Sequence, residues 1–381
     1  MVHTYEDLHK LSNLCGKMQD LYSNLALRIF AFSILSVFLP IYFLSIGMSI
    51  EYIIVFFLLL FMSVAVFSPV ALVVAQRVGL KNTVIISLPF SIIFFALIYK
   101  MGEGFVIPAY VIAFFGGIGE AFYFTAINLD FALNTKKEHR GYNIGALDSF
   151  FKSSAVFGPV FGALVIANYG FELVFGFAIL LLMLSLIPAL QVKVYRESFR
   201  YRMNRIFNRG NVRYLFVFFA YGVVSAAEWF LWPLFVFFAL SDVMGVALAV
   251  ALVAVGTGIF VGLFRFVSSN CTVPAFLKVG AIVYAVTWVL RANSSFPVDI
   301  YALSFLAGLV IVLVHIPFFA DTIERAKEVG VAEFIVFREV AVCMGRIAFF
   351  GVMLVAIVYG YPWYVAGFFA ATAASLLFLG A

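Results

Sequence analysis

The chain has 381 residues, of which 65% are hydrophobic and 11% charged, with a formal net charge of +5. A water-soluble domain carries about a quarter charged residues, so this composition leaves too little polar surface to cover a globule in water. The apolar residues run continuously instead of alternating, which argues against a β-barrel and for helices of about 20 residues crossing a bilayer core about 30 Å thick.

Residues 1–22 are polar and lack the short apolar region and small-residue cleavage site of a signal peptide. Leu8, Leu11, Leu14, Met18, Leu21 and Leu25 recur every three or four positions, the stripe of an amphipathic helix that either lies on the membrane surface or extends the first span. Breaks at charge, Gly and Pro then divide the chain into twelve predicted spans. They are Leu25–Ile46, Tyr52–Ala75, Thr83–Tyr99, Phe105–Leu129, Asn143–Ala167 and Leu173–Leu190. A basic stretch over 193–212 follows. The second set is Tyr214–Leu240, Val243–Phe264, Val279–Leu290, Ile300–Ala320, Phe334–Tyr359 and Trp363–Ala381. Cys15, Cys271 and Cys343 show no paired spacing, so neither a disulfide framework nor a metal site is indicated, and no cofactor is expected.

Lys and Arg accumulate in cytoplasmic loops. With the N-terminus inside and the spans alternating, Lys100 and Arg291 alone fall in outer loops. Lys152, Arg338 and Arg346 fall within spans, and the rest of the 24, Arg28 among them, face the cytoplasm. Both termini are therefore expected in the cytoplasm, in a multi-pass protein of the cytoplasmic membrane. The basic linker reads as an inner-face anchor on anionic lipid rather than a nucleic-acid surface.

The two sets echo each other at a shift of about 190 residues. FLPIYF surrounds Pro40 in the first span and LWPLFVF surrounds Pro233 in the seventh; the fourth ends at Asp130 and the tenth at Asp321. Six spans per unit is an even number, so the units enter from the same side, a parallel repeat about the membrane normal. The expected organisation is a six-helix bundle over 23–192 and another over 213–381.

These features resemble the major facilitator superfamily over the whole chain. The loop AQRVGLK resembles that family's Gly-x-x-x-Asp-Arg-x-Gly-Arg-Arg motif: Arg77 and Gly79 match and Lys81 replaces the last Arg, while Leu72 and Gln76 stand where Gly and Asp belong. Gly158-Pro159 followed by Gly162 is similar to the Gly-Pro motif of the fifth helix in antiporter branches. The resemblance implies an all-α integral membrane protein with the major facilitator fold. Its cavity would be lined by the first, fourth, seventh and tenth helices, with Arg77 able to pair with Asp130. The fourth helix carries Glu120 instead of the central Arg of proton-driven drug antiporters, which weakens a drug-efflux reading. The faces Gly158-x-x-x-Gly162 and Gly258-x-x-x-Gly262 would form the rocking interface between the halves, or else each would pack within its own half.

A charge at mid-bilayer costs about 2.5–3.5 kcal/mol on insertion scales, so intramembrane ionisable groups are functional candidates by default. Glu120, Glu228 and His315 sit near the middle of separate spans. Tyr221, Ser225, Glu228, Trp232 and Phe235 form one helical stripe, as do Ser304, Gly308, Ile311, His315, Phe318 and Thr322. Each carboxylate reads either as a coupling or ligand group or as a protonated, hydrogen-bonded packing residue. His315 reads as an interhelical donor or as a site residue. Asp148 and Lys152 neutralise each other across one turn. On the eleventh span Glu339 and Arg346 read as a structural pair, with Arg346 as a clamp for an acidic substrate group the other reading. The expected function is a secondary transporter moving a small solute by alternating access with proton coupling, as a monomer. A polytopic protein without solute flux, such as a lipid-handling enzyme or sensor, is the alternative. The sequence has no nucleotide-binding Gly-Lys-Ser/Thr element.

Overall fold

Continuous apolar runs with no water to bond their backbones can only satisfy N–H and C=O groups internally. The computed structural model is accordingly helical throughout the residues it describes, 24–134, 157–191, 212–267 and 273–380. The N-terminal set is α1 (Asn24–Ser36), α2 (Leu39–Ser45), α3 (Ile50–Val78), α4 (Leu80–Gly102), α5 (Ala109–Asn134), α6 (Phe157–Tyr169) and α7 (Phe171–Gln191). The C-terminal set is α8 (Val212–Ala226), a π-helical turn (Ala227–Leu231), α9 (Trp232–Leu240), α10 (Val243–Val267), α11 (Val273–Ala292), α12 (Pro297–Val329), α13 (Val331–Val358) and α14 (Trp363–Leu377).

Among the described residues nine helices are long and apolar enough to cross a membrane, or ten if the bent pair α1 and α2 counts as one. The shorter α6 covers only the second half of the predicted span Asn143–Ala167. Apolar side chains such as Val66, Phe114, Leu180, Phe216, Ile282 and Phe369 lie exposed around the outside. Such a surface belongs in lipid, not water.

Both proline echoes have a visible consequence. Proline lacks an N–H and clashes with the carbonyl four residues earlier, so a helix must open before it. Before Pro40 the chain breaks at Val37 and Phe38 and bends by 41°. Before Pro233 it widens into the π turn Ala227–Leu231, which carries Glu228. Gly79, at φ +90°, ends α3 and starts α4, a backbone conformation that disfavours any side chain.

The described helices pack mainly within their own set: α5 on α3 and α4, α4 on α7, α12 on α10 and α11, and α13 on α8. Small residues permit the closest approaches. A Cβ added at Gly222 of α8 would overlap the Val342 carbonyl oxygen on α13, and one at Gly345 would overlap the Phe219 carbonyl oxygen in return. Gly256 of α10 and Gly308 of α12 meet in the same manner. Across the sets the main contact is α13 against α3, with α5 beside it.

The Gly158 face takes the second of the two readings offered by sequence, whereas Gly258 takes neither and the surroundings of Gly262 lie outside the described residues. Gly158 packs against Ser33 and Gly162 against the Ile34 carbonyl oxygen, both on α1 of the same set, and a Cβ at Gly258 would meet nothing. The seam between the sets is therefore built by α3 and α13 and not by these glycines. A small-residue face licenses a close neighbour without naming it.

Candidate functional site

Three layers stack along α13 where it faces α3 and α5. Nearest its start, Glu339 accepts hydrogen bonds from Asn128 Nδ2 of α5 at 3.1 Å and from Arg338 Nη2 at 2.6 Å. Two turns on, Arg346 lies with its guanidinium 4.8 Å from the Phe61 ring of α3 and donates through Nε to Ser225 Oγ of α8 at 3.4 Å. Another turn on, Phe350 packs between Phe57 and Phe61 of α3 and Trp229 and Phe230 of the π turn, with ring centroids 4.9–6.1 Å apart. Phe57 and Trp229 also meet directly at 5.1 Å. An aromatic plug and a polar tie thus bracket one charged layer.

Glu120 of α5 belongs to that charged layer. Asn128 is eight residues beyond it on α5, and Glu339 seven residues before Arg346 on antiparallel α13. At 1.5 Å per residue these separations are about 12 Å and about 10 Å, so bonding Asn128 to Glu339 brings Glu120 level with Arg346. Arg346 is the largest favourable electrostatic partner of Glu120, Arg28 is the second, and Glu339 opposes them. Glu120 makes no hydrogen bond with a described residue and is only half-buried, as are Arg346, Tyr221 and Ser225. Tyr221 stands in electrostatic reach of Arg346, Arg338 and Glu339. The expected pair of Glu339 with Arg346 is not what forms: Glu339 is held by Arg338 and Asn128, while Arg346 lies over Phe61, bonds Ser225 and acts on Glu120 only through its field. One face of a helix gives the direction of two side chains, but neighbours on other helices choose their partners.

Glu228 sits in a closed arrangement. Its Oε1 accepts from Arg291 Nη1 and from Tyr284 Oη, each at 2.8 Å, and its side chain is 14% exposed. Arg291 is wholly buried, with Trp232 at 4.3 Å and Trp288 at 4.7 Å from its guanidinium carbon. Trp232 in turn donates through Nε1 to Ser304 Oγ at 2.9 Å. Cation–π contacts in a desolvated site add about 2 kcal/mol each to the ion pair. The stripe from Tyr221 to Trp232 does face inward, but the π turn directs Tyr221 and Ser225 to the seam and Glu228 and Trp232 to this cluster.

Two arginines assigned to the membrane faces are instead buried. Arg291 is one. Arg28 of α1 is the other, donating to Ser87 Oγ and Ser91 Oγ of α4 at 2.8 Å each, with its guanidinium carbon 3.7 Å from the Tyr123 ring centroid. Charge counting treats a cation near the end of an apolar run as an anchor, and these positions look the same on that count. A possible signal was present: Ser87 and Ser91 are one helical turn apart in an apolar stretch, as are Tyr284 and Trp288.

The remaining candidates are distributed. Lys81 Nζ donates to the Leu190 carbonyl at 2.8 Å, a cation at the C-terminal end of α7 where the helix dipole favours it. Arg77 is exposed in the last turn of α3, and no hydrogen bond joins it to Asp130, half-buried toward the end of α5. Pro159 is buried beside Gly158. His315 lies on α12, and its side chain, like Asp148, Lys152 and the linker, lies outside the described residues.

A family model, the Major Facilitator Superfamily, matches residues 21–337. The chain belongs to the Major Facilitator Superfamily. Solved structures agree in fold. A bacterial homologue of the iron transporter ferroportin in an inward-facing state superposes with a TM-score of 0.70 at 10% identity, covering 95% of this chain and 98% of that one. A proton dependent oligopeptide (POT) family transporter gives 0.70 at 14% identity, covering 95% and 100%. The E. coli fucose:proton symporter FucP gives 0.65 at 15% identity, covering 95% and 97%. No curated protein sequence matches the chain. This superfamily member is a multi-pass membrane protein that transports a small-molecule solute, a transporter rather than an enzyme.

Proposed function

We propose that this transporter works by alternating access in the cytoplasmic membrane, with both termini cytoplasmic, and that Glu120 couples solute movement to protons. The observation that carries the reading is that Glu120 and Arg346 stand in one half-buried layer on helices from opposite sets. A carboxylate whose main cationic neighbour belongs to the other half feels a different field whenever the halves rock. Conversely, protonating it removes an attraction across the seam and shifts the balance between conformations. Glu228 lacks this property, because Arg291 and Tyr284 move with it in the same set. Two structural relatives are a fucose:proton symporter and a proton dependent oligopeptide transporter, which supports the choice of ion.

The test is purified protein in liposomes under an imposed pH gradient, screened against solute pools with Glu120→Gln and Glu228→Gln alongside. Glu120→Gln is expected to abolish gradient-driven accumulation while leaving solute exchange across the membrane. Full gradient dependence in that variant overturns the assignment.

A further inference from the structure

We infer that the Arg346 guanidinium binds the carboxylate of an organic anion whose apolar body rests against Trp229. This rests on the transport reading above and names a substrate class for the same seam. Of the arginines near the site, Arg28 and Arg291 are wholly buried between hydroxyls, a carboxylate and aromatic faces, and Arg338 is held by Glu339. Arg346 differs. It is half-buried, its single hydrogen bond to a described residue is the long Nε contact with Ser225, and neither Nη has a described partner. A guanidinium fork presents two parallel N–H donors that match a carboxylate. Phe61, itself buried, lies 4.8 Å from the guanidinium carbon, and the half-buried Trp229 ring 5.8 Å from Phe61 leaves apolar surface beside the charge.

Charge balance selects a monoanion. The groups facing Glu120 are Arg28 from α1 and Arg346, Glu339 and the neutral thiol Cys343 from α13; Arg346 is also faced by Tyr221 and Ser225 from α8. Adding a carboxylate to this layer leaves two anions competing for Arg346, and an uncompensated buried charge is costly. A proton taken up by Glu120 removes the competition. Anion and proton then enter together with no net change in charge, whereas a dianionic phosphate would need a second free cation.

The probes are benzoate and its neutral analogue benzamide, titrated against the full-length protein in lipid nanodiscs and followed by tryptophan fluorescence. Benzoate is expected to bind about tenfold or more tighter than benzamide, the worth of a charge-assisted bidentate contact, and tighter still as pH falls. Arg346→Gln should erase the benzoate preference, and Arg346→Lys, which keeps the charge without the fork, should leave an intermediate one. Glu120→Gln should keep the preference and lose its pH dependence. Equal binding of the two probes, no saturable benzoate binding, or an undiminished preference in Arg346→Gln overturns the proposal. The two readings fail separately: transport by Glu120→Gln tests the coupling, and the ratio of the two probes in Arg346→Gln tests the carboxylate site.

Discussion

Each half buries an arginine to tie its first helix to its third, but the charge is handled in opposite ways. In the N-terminal half Arg28 reaches from α1 to Ser87 and Ser91 on α4 and lies against Tyr123, so among the described residues hydroxyl dipoles and a π face hold it without a hydrogen-bonded carboxylate. In the C-terminal half Arg291 reaches from α11 to Glu228 in the π turn, and Trp232 and Trp288 enclose it. The second cluster neutralises its cation internally. The first leaves a positive field that extends to Glu120 on the seam. A closed cluster stiffens a bundle, whereas an open one also biases the group to which the proposed coupling assigns a change of protonation state.

The sharpest way to break this comparison is to remove the carboxylate of the closed cluster. Glu228→Gln strands Arg291 in a dry aromatic box, and breaking a buried pair costs about 3–5 kcal/mol. Thermal unfolding in detergent should show a large drop, with most of it recovered when Arg291→Met is combined with it. A single variant that unfolds like the parent would mean that the pair is not closed.

The open cluster should respond differently. Ser87→Ala or Ser91→Ala removes a hydrogen bond to a charged donor, worth about 1.5–3 kcal/mol. The same melting experiment reads the stability loss. The distinguishing result is a displaced pH profile of transport, because Arg28 is free to shift relative to Glu120. No displacement in either serine variant would separate Arg28 from the seam.

Smaller effects sharpen the picture of how each half is held. Gly345→Ala forces a methyl group against the Phe219 carbonyl on α8 and should cost about 1–3 kcal/mol by overpacking. Gly258→Ala, where the added Cβ meets nothing, is the matched control in the same melting assay. Least of all, Asn128→Leu removes one cross-seam hydrogen bond, and such bonds in membranes average about 0.6 kcal/mol. Its melting curve should be nearly that of the parent, and the readable change should be in transport rate.

The layer proposed for function was partly legible in sequence. Glu120, Arg346 and Glu228 stand out because a charge inside an apolar run is costly without a partner or a role, whichever of the two it has. Pro40 and Pro233 were legible as an echo, and each does interrupt its helix, by a 41° bend in one case and a π turn in the other. Arg28 and Arg291 were hidden by their position near the ends of such runs, where a long cationic side chain ordinarily reaches the interface. The glycine faces on α6 and α10 advertised close contact, but only packing could say that Gly158 and Gly162 meet α1.

Sequence by itself determined the solvent, the helical class and the family, because these follow from hydrophobic run length and motif spacing, both properties of order along the chain. Tertiary structure alone decided the pairings: Glu228 with Arg291, Glu339 with Asn128, and Glu120 level with Arg346. Ion pairs and hydrogen bonds form between neighbours in space over a few ångströms, and helices distant in sequence become neighbours only when the bundle assembles.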